Sequence, residues 1–470
     1  MPHKLSINGP FSATSDVNGD NLDDVFIGGA AQQEGVLFLQ TKEGKFQKSL
    51  SNPWSKDKDS EDLEALFFDL DGDGDNDLYV ASGGSEFKSG NKLLKDRVYI
   101  NDGVGNFSKS LKALPNIYKS SQTVEASDID GDGDLDLFVG TRLIANKYTY
   151  PATSYILINE NGIFKKAPKE TAVSLQNIGM VTDAVFSDID NDGDEDLLVV
   201  GEWMEIKVLE NKSGIFTDNS QKFGIKDDSR GIWWSITKND LDNDGDDDYI
   251  LGNLGKNNKF KATKEHPFKV YANDFDGNGT NDVVLAKYYK DGYVPMRGKE
   301  CTTQQMPYVG EKFKDFHSFA SSKLIDILPE KTAEGALVYE ISNFESILLI
   351  NNNGKLTAQK LPIQAQISPI KNSFVDDFNN DGFKDILLVG NHYGVEVETV
   401  RYDAGYGSIL LGDGKNKFKF LPPSSSGFYI PTDSRAISSI KTINNSKMYL
   451  VTNNNDSIAL FKNNMGLMSN

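Results

Sequence analysis

The chain has 470 residues, a single cysteine, 38% hydrophobic residues and a formal charge of −20. With Cys301 alone no intrachain disulfide can form, and without a run of about 20 apolar residues no helix can span a membrane. Nucleic acid is excluded as a partner by the acidic balance and the lack of any basic face.

Taken from the N-terminus, a short strand around Phe11–Ser15 leads into a nine-residue segment with Asp16, Asn18, Asp20, Leu22 and Asp24 at positions 1, 3, 5, 7 and 9. The spacing recurs as Asp69, Asp71, Asp73, Asp75 and Asp77, then as Asp128, Asp130, Asp132, Asp134 and Asp136. It continues with Asp188, Asp190, Asp192, Asp194 and Asp196, and with Asp240, Asp242, Asp244, Asp246 and Asp248. Two looser copies follow: Asp274, Asp276, Asn278, Thr280 and Asp282, and Asp377, Asn379, Asp381, Phe383 and Asp385. Oxygen side chains at positions 1, 3, 5 and 9 match what Ca²⁺ takes, 6–8 oxygen ligands at about 2.3–2.6 Å. Carboxylates this dense repel one another unless a cation sits among them. Position 7 varies freely in side chain, so the expected ligand there is the backbone carbonyl. About seven Ca²⁺ sites are therefore expected. An EF-hand is excluded, because position 12 is always aliphatic (Ile27, Val80, Val139, Val199, Leu251, Leu285, Leu388) and lies in strand-like runs.

Each loop is followed by short alternating strands and an Asn-Gly or Gly-x-Phe turn, as in Leu78-Tyr-Val, Arg97-Val-Tyr-Ile-Asn and Asp102-Gly-Val-Gly-Asn-Phe107. A repeat of about 50 to 60 residues made of four short strands is the mark of a propeller blade. The expected fold is accordingly all-β, one propeller over residues 1–470 with eight four-stranded blades, or seven if the abbreviated fifth unit merges with the sixth. The fifth unit reads as short of outer strands, and the sixth is interrupted by a partly helical insertion over 287–345. Phe313, Phe316, Phe319, Leu324, Ile327 and Leu328 predict one or two helices across a rim there, with the sixth meander resuming at Ser346. The last unit turns at Asn444-Asn445-Ser446 and lacks the ligands.

The loops with their Leu-x-Val-Gly and Leu-Tyr-x-Asn-Asp-Gly-x-Gly-x-Phe strands resemble the FG-GAP and VCBS repeats, which in integrin alpha subunits form a calcium-decorated propeller. Asp183-Ala-Val-Phe with Val200-Gly-Glu-Trp-Met204, Gly252-Asn-Leu-Gly with Phe260-Lys-Ala, and the stretch Tyr393–Gly407 are similar to bacterial secreted proteins related to cartilage acidic protein, the ASPIC/UnbV type. That resemblance implies an extracellular or cell-surface place, a link to surface glycan utilisation and a binding role. Residues 1–10 lack the apolar core of a secretory signal. The expectation is a mature or truncated form of an exported chain, since calcium is too scarce in the cytosol for such loops.

Two functions remain open: a module binding a glycan or protein partner, as a monomer or part of a larger surface assembly, and a calcium-dependent polysaccharide lyase. His3, His266, His317 and His392 show no pairing motif, and there is no phosphate loop, zinc helix or nucleophile elbow. Candidate ligand-binding residues are Trp203, Trp233, Trp234, Tyr288, Tyr289, Tyr293 and Arg297, since aromatic faces near charge suit sugar rings. Glu202, Arg401 and Asp403 lie in irregular connections and serve equally as binding groups or as hydrogen bonds between blades.

Overall fold

The computed structural model describes residues 3–443 and 446–464; Asn444 and Asn445 of the expected last turn lie outside them. Eight antiparallel sheets are present, as the repeats predicted. In six of the seven ring units the chain runs through four neighbouring strands in order: Ser12–Ser15, Asp24–Ile27, Val36–Gln40 and Phe46–Lys48 in the first, for example. Each aspartate-rich loop joins a first strand to a second. The seventh unit has three described strands, Ser434–Lys441, Lys447–Asn453 and Ala459–Lys462, with no acidic loop between the first two.

The first strands of seven units stand side by side in a closed ring: Ser12–Ser15, Asp62–Phe68, Ser120–Ser127, Met180–Ser187, Ser235–Asn239, Ile370–Asp376 and Ser434–Lys441. Ser12 and Ser438 hydroxyls meet at 3.1 Å where the ends of the chain join, and Asp23 N–H donates to Lys441 O at 3.1 Å. Between each pair of units lies an apolar layer. Phe26 and Leu37 pack on Leu78, Val80 and Tyr99, for instance, and Val25 packs on Ile440 and Leu450 to close the circle. Burying one such side chain contributes about 1.5–3 kcal/mol, so the ring is held mainly by its interfaces.

The eighth sheet is not in this ring. Its strands, in the order Gly292–Pro295, Asp282–Tyr289, Phe268–Asn273, Leu337–Ile341, are inserted between the second and third strands of the fifth unit. Ile347–Ile350 and Thr357–Lys360, expected to resume a sixth meander, instead complete the fifth unit, with Tyr249 opposite Leu349. The fifth unit therefore has full outer strands, and the two counts weighed from sequence describe one object: eight sheets, seven of them in the ring.

The inserted sheet alternates two apolar faces. Phe268, Val270, Val283 and Leu285 pack on Leu143, Trp203, Ile232 and Trp234 at one mouth of the ring. Val284 and Ala286 pack on Phe313, Phe319, Leu324, Ile327 and Leu328. The helical segment is five short helices: α1 (Lys299–Gln305), α2 (Tyr308–Lys312), α3 (Phe316–Ala320), α4 (Leu324–Ile327) and α5 (Glu330–Glu334). They replace the one or two predicted because Pro307 and Pro329 stop helices and the Asp315 side chain caps a fresh start at Ser318 N–H. They lie on the inserted sheet, and Phe316 is exposed. Among the described residues no helix is long and apolar enough to cross a membrane.

Candidate metal loops and the capped mouth

The loop backbone is set by left-handed residues at positions 4 and 6, such as Asn191 (φ 58°) and Gly193 (φ 96°), which curl the chain around position 1. The position 1 carboxylate accepts backbone N–H groups inside that curl: Asp16 from Gly19 and Asn21 at 2.8 and 2.7 Å, Asp188 from Asp192 and Gly193 at 3.0 Å each. Carboxylate oxygens then converge. In five loops three of them lie within 4.8 Å of one another: Asp69, Asp71 and Asp73; Asp128, Asp130 and Asp136; Asp188, Asp190 and Asp192; Asp240, Asp242 and Asp244; Asp274, Asp276 and Asp282. The loops at Asp16 and Asp377 have Asn18 and Asn379 at position 3, so they offer fewer carboxylates. A cluster of hard oxygens fits a hard divalent cation.

In three of the four loops with an acidic position 7, that side chain accepts a backbone N–H from outside the loop. Asp134 accepts Asn161 N–H at 3.2 Å, Asp194 accepts Ser213 N–H at 3.1 Å and Asp246 accepts Asn353 N–H at 2.7 Å. Leu22 and Phe383 carry no side-chain ligand at all.

The ninth position is buried and doubly used. Asp77 accepts Leu70 N–H and Asn101 N–H at 3.3 and 2.7 Å, Asp136 accepts Ile129 and Asn159 at 3.2 and 2.7 Å, and Asp248 accepts Leu241 and Asn351 at 3.3 and 2.9 Å. Burial, partly opposed by these bonds, pushes Asp24, Asp77, Asp136, Asp196 and Asp248 up to about 7, and Asp282 and Asp385 up to about 6.

A residue outside the nine-residue spacing couples the loops to one another. The asparagine closing the third strand donates its backbone N–H to its own loop and its side-chain amide to the preceding loop's second carbonyl. Asn101 reaches Val17 O (2.9 Å), Asn159 reaches Leu70 O (2.8 Å), Asn211 reaches Ile129 O (3.2 Å) and Asn351 reaches Ile189 O (3.0 Å). Its signal is present in sequence as Asn159-Glu-Asn-Gly162, Asn211-Lys-Ser-Gly214 and Asn351-Asn-Asn-Gly354, with Asn101-Asp-Gly103 a shorter form in the second unit. Asn159→Ala would orphan Leu70 O and Gly162 N–H, which donates to Asn159 Oδ1 at 2.8 Å. The expected loss is about 1–3 kcal/mol per orphaned group, read as a lower denaturation midpoint with unchanged cooperativity; a shift below about 0.5 kcal/mol would contradict the latch.

The predicted ligand-binding residues divide. All three tryptophans are buried, against the expectation of an uncovered rim: the inserted sheet covers Trp203 and Trp234, and Trp233 packs between the fourth and fifth units. Trp203 stacks on Phe268 at 5.6 Å and donates to Tyr148 Oη at 3.0 Å; Trp233 donates to Ser229 O at 3.1 Å; Trp234 lies 5.4 Å from His392. Tyr293 sits on the edge strand of the inserted sheet, with Tyr288 opposite it on the next strand and Tyr289 at the hairpin end. Tyr288 stacks on exposed His266 at 3.7 Å and meets Tyr293 edge-on at 5.6 Å, while Lys269 Nζ lies 4.5 Å above the Tyr293 ring. Tyr289 is 56% exposed. Arg297 is tied to Glu396 at 3.4 Å and Gln305 at 3.3 Å, pinning the insertion to the connection around Glu396. Arg401 and Asp403 pair at the surface at 3.1 Å. Glu202 is buried instead, held by His3 (3.3 Å), Arg142 (3.1 Å) and the Tyr148 hydroxyl. Burial opposes its charge, but those partners outweigh it and hold the carboxyl down at about 2.

The FG-GAP-like repeat model matches residues 16–80, 69–139 and 188–251. Together with the ring of sheets, this makes the chain a β-propeller carrying three FG-GAP-like repeats. No curated protein matches its sequence. Among solved structures it is similar to the Burkholderia pseudomallei lectin BP39L (9% identity, TM-score 0.44, 97% of this chain and 98% of that one). The Vibrio cholerae biofilm matrix protein Bap1 (11%, 0.41, 98% and 89%) and the Dos1 propeller (9%, 0.41, 98% and 96%) are similar to the same degree.

Proposed function

We propose that this protein is an extracellular or cell-surface propeller whose acidic loops hold Ca²⁺ and which binds a glycan or protein partner in bacterial glycan utilisation, through the edge of its inserted sheet. The observation that carries the binding role is the half-exposed aromatic cluster of His266, Tyr288 and Tyr293 beside Lys269, whose ammonium is paired with Glu340. Flat rings with a cation alongside take up the apolar face of a sugar, or a partner's side chains, at small entropic cost. The ion's part is structural: it gathers carboxylates that otherwise repel, and the chain's own part is to present them on a rigid curl.

The test is a double variant, Tyr288→Ala with Tyr293→Ala, assayed on a panel of acidic and neutral polysaccharides by calorimetry or an immobilised array. Calcium content is expected to stay within error and the unfolding midpoint to fall slightly, because Tyr293 packs on the helical layer and donates to Pro267 O, while affinity falls at least tenfold. Unchanged affinity for every ligand of the parent would place the site elsewhere. In the same panel no unsaturated sugar product is expected; its appearance would favour the lyase reading.

A further inference from the structure

We propose that the capped mouth of the propeller holds a small oxyanion group, a carboxylate or sulfate, on the axis between Lys371, Arg435, Arg142 and His392. The inference is independent of the metal loops, which lie at the opposite ends of the first strands, and of the aromatic platform.

The groups come from separate parts of the chain and meet around one ring. Lys371 Nζ lies over Trp234, Arg142 Cζ is 5.2 Å from it, and His392 is 5.4 Å from it and 5.1 Å from His3. All are buried: Arg142 2%, Arg435 2%, Lys371 6% and His392 1% exposed. Their donors are not used up. Lys371 Nζ, Arg142 Nε, Arg435 Nε, Trp234 Nε1 and both ring nitrogens of His392 have no hydrogen-bond partner among the described residues.

Charge is out of balance in the same place. Three cations face two carboxylates, and both carboxylates are engaged: Glu202 with Arg142, Tyr148 and His3, and Asp433 with Arg435 at 2.9 Å and Tyr393 N–H at 3.3 Å. In this cluster Asp433 Oδ1 is the one carboxylate oxygen left over. Glu64, Glu125 and Asp183 act on one another from neighbouring first strands, but they are not among the strongest influences on Lys371 or His392.

Buried donors without acceptors cost about 1–3 kcal/mol each, and an unmatched charge costs more. Water could supply acceptors but not the missing negative charge. An oxyanion supplies both, and guanidinium and ammonium donors to a charged oxygen form the stronger class of hydrogen bond. Burial and the nearby Arg435 charge push Lys371 well below its ordinary range, so without an anion it is driven to shed its proton, and an adjacent anion would restore its charge. A groove of about 300 Å³ between the third and fourth units, lined by Thr149, Met180, Trp203 and Arg230, comes as far as Glu202, the partner of Arg142.

The experiment uses the full calcium-loaded chain in a chloride-only buffer at constant ionic strength, titrated with sulfate, acetate, glucuronate and a hexuronate oligosaccharide while the unfolding midpoint is followed. A saturable rise is expected with at least one oxyanion, and Lys371→Met should weaken its apparent affinity at least tenfold. Should that variant fold poorly, His392→Gln, which keeps size and neutrality, is expected to weaken it by a smaller factor. Saturation by sulfate or acetate alone identifies a free anion; saturation by hexuronates only identifies the acid group of a sugar. No saturable shift with any of the four, together with Lys371→Met more stable than the parent in chloride, would overturn the proposal and leave a hydrated, unmatched cation.

Discussion

Stripping calcium from the purified protein with a strong chelator is expected to lower the thermal midpoint by roughly 15–20 °C. An ion bound only by the folded chain contributes about 2.7 kcal/mol per site at a hundredfold excess over its dissociation constant. With an unfolding entropy of about 2.1 cal/mol/K per residue, a chain of this size moves its midpoint by about 1 °C per kcal/mol. The geometry makes the loss spread beyond each loop. Asp136 anchors Asn159, Asn159 holds Leu70 O of the preceding loop, and the Asp190 Cβ would lie 2.8 Å from a Cβ added at Gly354, so a loosened curl disturbs its neighbour's turn. Asp192→Ala is expected to remove one ion and weaken one unit while the rest stay folded, because repeat stability is close to a sum over neighbours. Calorimetric scans that coincide with and without chelator, or fewer than about four ions per chain by metal analysis, would refute the structural role assigned to calcium.

The loops were legible because their constraint is local: a curl around the position 1 carboxylate fixes which positions carry oxygen and which must turn left-handed, and both requirements are written in nine consecutive residues. The hairpin turns were legible for the same reason. The path of the fifth unit was not, since Tyr249 and Leu349 pair across the whole insertion and interval counting cannot tell a short blade from an interrupted one. A sharper signal existed. Asn351-Asn-Asn-Gly354 repeats Asn159-Glu-Asn-Gly162, so it had to follow a third strand, and no such Asn-x-x-Gly follows Asp282–Tyr289. The tryptophans misled because short flanking strands suggest exposure; Gly231–Ile232 is short, but the inserted sheet covers it. His3, Arg142, Lys371, His392 and Arg435 have no common spacing to read, and only ring closure brings them together.

Replacing residues 257–342 with a short Gly-Ser linker is expected to leave a folded seven-unit ring that binds one calcium fewer. The join is feasible, as Gly255 N–H already donates to Phe344 O at 2.8 Å, so the two ends of the insertion leave the ring side by side. No ring interface is lost, because the apolar layers between the fourth, fifth and sixth units use Tyr249, Leu251, Leu348 and Leu349, all outside the excised stretch. The mouth, however, is opened. Leu143, Trp203, Ile232 and Trp234 lose Phe268, Val270, Val283 and Leu285, and the variant should bind a hydrophobic dye and melt earlier than the parent. Replacing residues 302–333 alone should keep the ion of the sixth loop, since Asp274–Asp282 and its strands remain. The point variant Phe268→Ala removes the ring that stacks on Phe260 at 4.2 Å and on Trp203 at 5.6 Å, and should cost about 3–5 kcal/mol. An excised chain that retains every ion, or a Phe268→Ala chain as stable as the parent, would show that the inserted sheet neither carries its own loop nor seals the mouth.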